Sequence, residues 1–255
     1  MKIFIVNTKG GCGKSTCCYQ IVSPYCFAKN NNKKPIIVDL DNMNDESSSY
    51  SQSKVFDSQK TSSIDIQLIG QDRDAIFDTG AGDNGKKNLN NLINTGLIEF
   101  IDLFIIPLTS GTEATVDAFY VYNSILKNVS KAKIMFVFSD CFNPEEFPLK
   151  EQFSAFYKYV ENNNIKIQEP IPIVREPSIV WSQRYGLTAY ELGDETKEKS
   201  KKIELRRCVE MKDFISAEKK SKELLLIKLS MDFRKYLVDK VFPKIDDFLG
   251  ENNER

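Results

Sequence analysis

Eight residues limit this chain more than any others: KGGCGKST, residues 9–16, directly after the apolar opening MKIFIVNT. Gly10, Gly11 and Gly13 let the backbone curl so that successive N–H groups face one point, a path most side chains forbid. An apolar run before this loop and Lys14-Ser15-Thr16 after it read as a strand feeding a turn that opens a helix. Backbone N–H groups at a helix N-terminus attract anions. The alternative is a glycine turn with no ligand; the strand, the lysine and the adjoining hydroxyls in one place argue against it.

The loop reads as a phosphate cradle lined by Lys9, Gly10, Gly11, Cys12 and Gly13. Lys14 is spaced to reach the β- and γ-phosphates, Ser15 to ligate Mg²⁺, and Thr16 to donate to the α-phosphate. The common spacing G-x-x-x-x-G-K-[ST] asks for glycine at position 8, where this chain has Thr8. Lys9, at the front, is a second lysine that holding a triphosphate does not require.

Further along, short apolar runs alternate with longer amphipathic stretches, the pattern of a parallel sheet wrapped by helices. Strands are expected at 2–7, 35–40, 64–69, 74–79, 102–108, 133–139 and around Ile171 to Val174. Most are unbroken apolar runs, so both sheet faces should be covered. Helices are expected after Lys14 and at 86–95, 113–127 and 147–162. Pro24 falls inside the first of these and should kink or end it near Val22; Asn30-Asn31-Asn32 supplies the turn that follows. The expected fold is α/β: a mostly parallel, twisted sheet with helices on both faces over residues 1–194, then a helical extension over 195–255 packed on the same domain.

Two segments add carboxylates to the loop. IIVDLD, residues 36–41, ends a strand with Asp39 and Asp41 pointing the same way, because side chains alternate along extended chain. DAIFDTGAG, residues 74–82, is an apolar strand ending in Asp78 and a glycine turn. One such Asp could cap a helix; three beside a Gly-Lys-Ser loop suit metal and water at the strand ends of an open sheet.

At 255 residues and 41% hydrophobic, the chain can bury one sizeable core. Its net charge of −1 announces no nucleic-acid or membrane partner, which must be met by a local patch. The absence of histidine and of any C-x-x-C pair excludes usual zinc spacing and an imidazole base. Without a secretory pattern or a bilayer-length apolar run, the expectation is a reduced cytoplasmic protein with buried thiols. Cys12, inside the loop, is either an apolar filler or an oxidation-sensitive position.

KGGCGKST resembles the deviant Walker A motif, KGGxGK[ST][ST], of the ParA/MinD family of P-loop ATPases. IIVDLD resembles that family's hhhDxD segment, and DAIFDTGAG its Walker B strand and glycine turn. DLFIIPLTSGTEATVDA, with Pro107, is similar to the strand and helix that follow, and REPSIVWSQRYGLTAYE to a later stretch. These segments span about residues 1–193 in the family's order. With the first strand beginning at Met1, the chain is most similar to the small plasmid-partition ParA proteins.

The resemblance implies ATP and Mg²⁺ as cofactors and a homodimer when ATP is bound. It implies that Lys9 reaches the nucleotide of the partner subunit, that Asp41 orients the attacking water, and that Asp39 and Asp78 sit in the outer magnesium shell. A cation supplied in trans would offset charge on the transferred phosphoryl, as an arginine finger does. It further implies slow turnover stimulated by a centromere-binding, ParB-like partner, in plasmid or chromosome partition. Two positions depart from the family's pattern. Asn42-Met43 replaces the usual Pro-Gln, and the strand that normally ends in a base-reading Asn gives Phe138-Ser139-Asp140. Asp140 could accept from an adenine amino group, though a carboxylate also suits guanine.

From Glu195 on, the reading is all helix. Nine Lys/Arg stand against four Asp/Glu between 199 and 222. Lys199, Lys201, Lys202, Arg206, Arg207, Lys219, Lys220 and Lys222 could bind non-specific DNA, which would make the protein nucleoid-associated; the alternative is a solvated helix face. Leu226, Leu229, Phe233, Leu237, Val241, Ile245 and Phe248 draw one apolar face, to be packed on the body or on a partner. Pro243 should bend the last turn. The acidic end, DDFLGENNER, fits an anionic membrane poorly, so no stable membrane insertion is expected. Two rival functions stay open: a MinD-like, conjugation- or secretion-associated positioning scaffold, and an ATP-dependent metabolic ligase on the same fold.

Overall fold

The computed structural model describes residues 1–40, 73–80 and 82–250. Among these residues, six strands form one all-parallel sheet: β1 (Lys2–Ile5), β2 (Ile36–Leu40), β3 (Ala75–Thr79), β4 (Leu103–Leu108), β5 (Ile134–Cys141) and β6 (Ile171–Val174). Their spatial order is β2-β3-β1-β4-β5-β6, so β1 lies inside the sheet with β3 and β4 on either side. β1 to β4 are buried at every position, as strands covered on both faces must be. The expected strand at 64–69 lies outside the described residues.

The chain divides into two compact units: residues up to Arg175 with those from Lys244 on, and Glu176–Pro243. In the first, aromatic side chains fill much of the core. Phe4 meets Phe77 and Phe104, and Phe119 stacks on Phe156 and Tyr159. Helix Gly82–Asn94 starts earlier and ends one residue sooner than expected, and Thr112–Asn128 adds one residue at each end. The helix expected at 147–162 instead breaks into Leu149–Gln152 and Ser154–Asn162. Phe153 leaves helical backbone between them and stacks face to face on Phe138, ring centres 3.8 Å apart.

The first helix does not end at its proline. Lys14–Cys17 is α-helical, Cys18–Val22 is a π-turn, and Ser23–Lys29 resumes the α-helix with Pro24 in its first turn. The wider turn shifts the hydrogen-bond register, so a residue lacking an N–H falls where a helix start tolerates it. The device recurs at Pro243, where a π-turn over Leu237–Val241 precedes the helix Phe242–Leu249. After the first helix, Asn31 and Asn32 make the turn into β2 in left-handed conformation.

The second unit is helical. Glu195–Glu210 and Phe214–Tyr236 form a hairpin, capped by Asp194 and Asp213, whose side chains accept from the N–H groups of Thr196 and Ser216. Leu226, Phe233, Leu237 and Val241 of the apolar stripe are buried.

Candidate functional site

The loop after β1 is pinned before it reaches its glycines. Asn7, fully buried, donates from Nδ2 to the Pro107 carbonyl at 2.7 Å and accepts the Lys9 N–H on Oδ1 at 2.9 Å. The Thr8 carbonyl accepts the Gly82 N–H at 2.7 Å, tying this loop to the glycine turn after β3. Gly11 and Gly13 lie at φ 68° and 85°, which L side chains rarely adopt. A Cβ on Gly13 would sit 2.4 Å from Ser139 Oγ, so the loop closes directly against the end of β5. Ser15 and Thr16, half-buried, follow in the first turn of the helix.

The two lysines of the loop are in opposite circumstances. Lys14 is only 7% exposed; its Nζ turns into the loop and donates to the Lys9 carbonyl at 3.2 Å, with Cys12 Sγ at 3.8 Å. Both acceptors are neutral, and an ammonium gains considerably more from a phosphate oxygen. Lys9 points outward and pairs with Glu113 Oε2 at 2.5 Å, on the first turn of Thr112–Asn128. The pair raises the Lys9 pKa and lowers that of Glu113, mainly through their shared hydrogen bond.

Asp39 and Asp78 are register partners on adjacent parallel strands, 8% and 2% exposed. Among the described residues, the buried hydroxyls of Thr8, Thr79 and Ser139 have no hydrogen-bond partner. They follow β1, end β3 and lie near the end of β5. Burying a hydroxyl without a partner is costly, and such groups call for a ligand or water. Unpartnered hydroxyls beside a buried lysine and a glycine loop fit a phosphorylated ligand and its hydrated cation. Asp41 lies outside the described residues.

Burial raises the pKa of Cys12, the principal cause, against the opposing pull of Lys14. The same burial holds the Cys17 and Cys18 thiols up, helped by Asp78. Five of the six cysteines are buried and Cys208 is half-buried.

Asp140 stands apart from this cluster. It takes left-handed backbone, φ 60°, at a register shift between β5 and β6. Both its oxygens accept from Arg175, from Nε and Nη2 at 2.5 Å each. A base amino group would therefore have to share a carboxylate that already holds a guanidinium.

The basic stretch is largely neutralised from within. Lys201 and Lys220 each pair with Glu204 and Glu223, both at 2.9 Å from Glu204. Lys199 pairs with Glu195, Lys202 with Glu198 and Lys222 with Glu218. Of the eight expected DNA contacts, Arg206, Arg207 and Lys219 form no ion pair with a described residue. Sequence reasoning misses three residues of the loop's surroundings: Asn7, Glu113 and Ser139. Asn7 carries a weak signal as a polar residue closing an apolar strand. Glu113 lies 104 positions from its partner and carries none.

Solved structures share this architecture. Apo McdA from Cyanothece aligns with a TM-score of 0.51 at 15% identity, covering 78% of this chain and 95% of that one. The chain shares the McdA fold, an all-parallel α/β sheet wrapped by helices. Two further structures align with TM-scores of 0.48 and 0.47. They are a Cyanothece McdA variant in complex with ATP (14% identity; 77% and 91% covered) and cobyrinic acid a,c-diamide synthase from Mycobacterium smegmatis with ADP and magnesium (12%; 72% and 91%). No protein-family model matches the chain, and no curated protein sequence matches it. Among the described residues, no helix is long and apolar enough to cross a membrane.

Proposed function

We propose that this protein is a Mg²⁺-dependent ATPase that dimerises on ATP and acts as a positioning switch, with plasmid or chromosome partition as its setting. One observation carries the reading: Lys14 is buried inside its loop while Lys9 is held outside it on Glu113. Two lysines five positions apart thus address different places. In this reading Lys14 and the loop N–H groups hold the β- and γ-phosphates, and Ser15 holds Mg²⁺, with Asp39 and Asp78 fixing water around it. Mg²⁺ supplies charge neutralisation on the phosphoryl group. Lys9 leaves Glu113 for the nucleotide of a second subunit, and Asp41 orients the attacking water.

The test is oligomeric state with and without ATP, for the wild type and Lys9→Ala. The wild type should dimerise only with ATP, and Lys9→Ala should bind ATP yet stay monomeric. Equal dimerisation of both proteins, or indifference of both to nucleotide, defeats the switch.

A second reading is favoured by the internal pairing of five of the eight candidate cations. A positioning scaffold that works through protein partners needs no DNA contact. Retention on non-specific DNA with ATP, falling steeply with salt, supports partition; no retention supports the scaffold.

A further inference from the structure

The helical unit carries an apolar groove that the nucleotide chemistry does not use. About 680 Å³ in volume, it runs between the helix Pro177–Gln183 with Tyr185 beyond it and the helix Phe214–Tyr236. Pro177, Trp181, Tyr185, Ile215, Leu225 and Leu229 supply most of its lining. These include large side chains left in water: Ile215 is 87% exposed, and Trp181, Tyr185 and Leu225 are about half exposed. Single exposed apolar residues are ordinary, but a concave run of them with two aromatic rings is the form of a binding surface.

Charge identifies the occupant. The carboxylates on the lining already have cations: Glu218 pairs with Lys222 at 2.6 Å, and Glu223 with Lys201 at 2.8 Å and Lys220 at 3.3 Å. The cations Lys219 and Arg184 have no carboxylate among the described residues. Lys219 lines the groove, and the Arg184 guanidinium lies over the Trp181 ring, 3.7 Å from its centre. The unanswered charge at the rim is therefore positive, around an apolar floor.

We infer that this groove docks an amphipathic helix of a partner protein, with apolar residues facing Trp181, Ile215 and Leu225 and carboxylates along its flanks. The recognition is the helix-in-groove kind, in which anchors one turn apart enter the floor. A nucleic acid would want the lysines that this unit commits to its own glutamates, and a flat bilayer would not follow the floor of a concave groove. Docking here is independent of whether ATP drives dimerisation.

Trp181 is the only tryptophan of the chain, so its fluorescence reads the groove directly. The probes are two synthetic helical peptides sharing a leucine face, one flanked by Glu and the other by Lys, added to the full-length protein. The Glu peptide should shift Trp181 emission saturably and bind at least about ten-fold tighter than the Lys peptide at low salt. Lys219→Glu with Arg184→Glu should reverse that preference. Ile215→Asp should abolish binding, and because Ile215 is exposed the variant should keep the wild-type melting temperature. Equal binding of the two peptides, binding of neither, or indifference to Ile215→Asp overturns the inference. So does a larger Trp181 response to anionic vesicles or oligothymidylate, or self-association of the wild type that Ile215→Asp removes.

Discussion

The glycine loop and the helical hairpin use charge in opposite ways. In the hairpin, Lys201, Lys220, Glu204 and Glu223 answer one another, and Lys199, Lys202 and Lys222 each hold a carboxylate on their own helix. Around the loop, Lys14 is buried against neutral acceptors, two carboxylates stand side by side, and three hydroxyls lack partners among the described residues. Polar groups that satisfy each other hold structure together. Buried hydroxyls without partners are kept for something that arrives later.

Charge changes at the loop should therefore damage binding more than folding. Lys14→Ala should weaken ATP binding roughly 100-fold, the scale of losing a charge-assisted contact to phosphate. Calorimetric titration measures it, and the melting temperature without nucleotide should fall little or rise.

Gly13→Ala tests shape rather than charge. Its Cβ would collide with Ser139 at a positive φ, so the expected cost is about 1–3 kcal/mol of stability together with loss of nucleotide binding. Denaturant unfolding gives the first and titration the second; wild-type stability would show that the loop does not close on β5.

Glu113→Gln frees Lys9 without touching the cradle. Exposed ion pairs are weak, so ATP-dependent dimerisation should tighten only about two- to five-fold, with ATP affinity of the monomer unchanged. Sedimentation across protein concentration distinguishes this from no effect.

The smallest effect is expected in the hairpin. Hydrogen bonds from Lys201 and Lys220 hold the Glu204 carboxyl down to about 2, below its ordinary value. A carboxylate with a depressed folded-state pKa contributes stability above its unfolded pKa, and that contribution is lost as pH falls towards 2. Thermal melts from pH 5 down to pH 2 should show wild type losing its small advantage over Glu204→Gln, and high salt should erase it at neutral pH.

Much of the candidate site is legible in the sequence because a glycine-lysine loop and the ends of apolar strands are local features. The loop, its lysine and the strand-end carboxylates Asp39 and Asp78 announce themselves by local spacing. Pro24 and Pro243 read as a break and a bend, yet π-turns carry the helix past each, and nothing in a residue list encodes that register shift. Phe153 likewise reads as one more helical residue until Phe138 offers it a ring to stack on.

By itself, then, the sequence determined the parallel α/β plan and the glycine loop that opens the first helix, because alternating apolar runs and a glycine-lysine motif act over a few residues. The tertiary structure alone decided where the lysines go. It bent Lys14 inward, set Lys9 on a glutamate 104 positions away, and paired the basic helices with themselves. Charges choose partners by distance in space, and a single sequence does not record that distance.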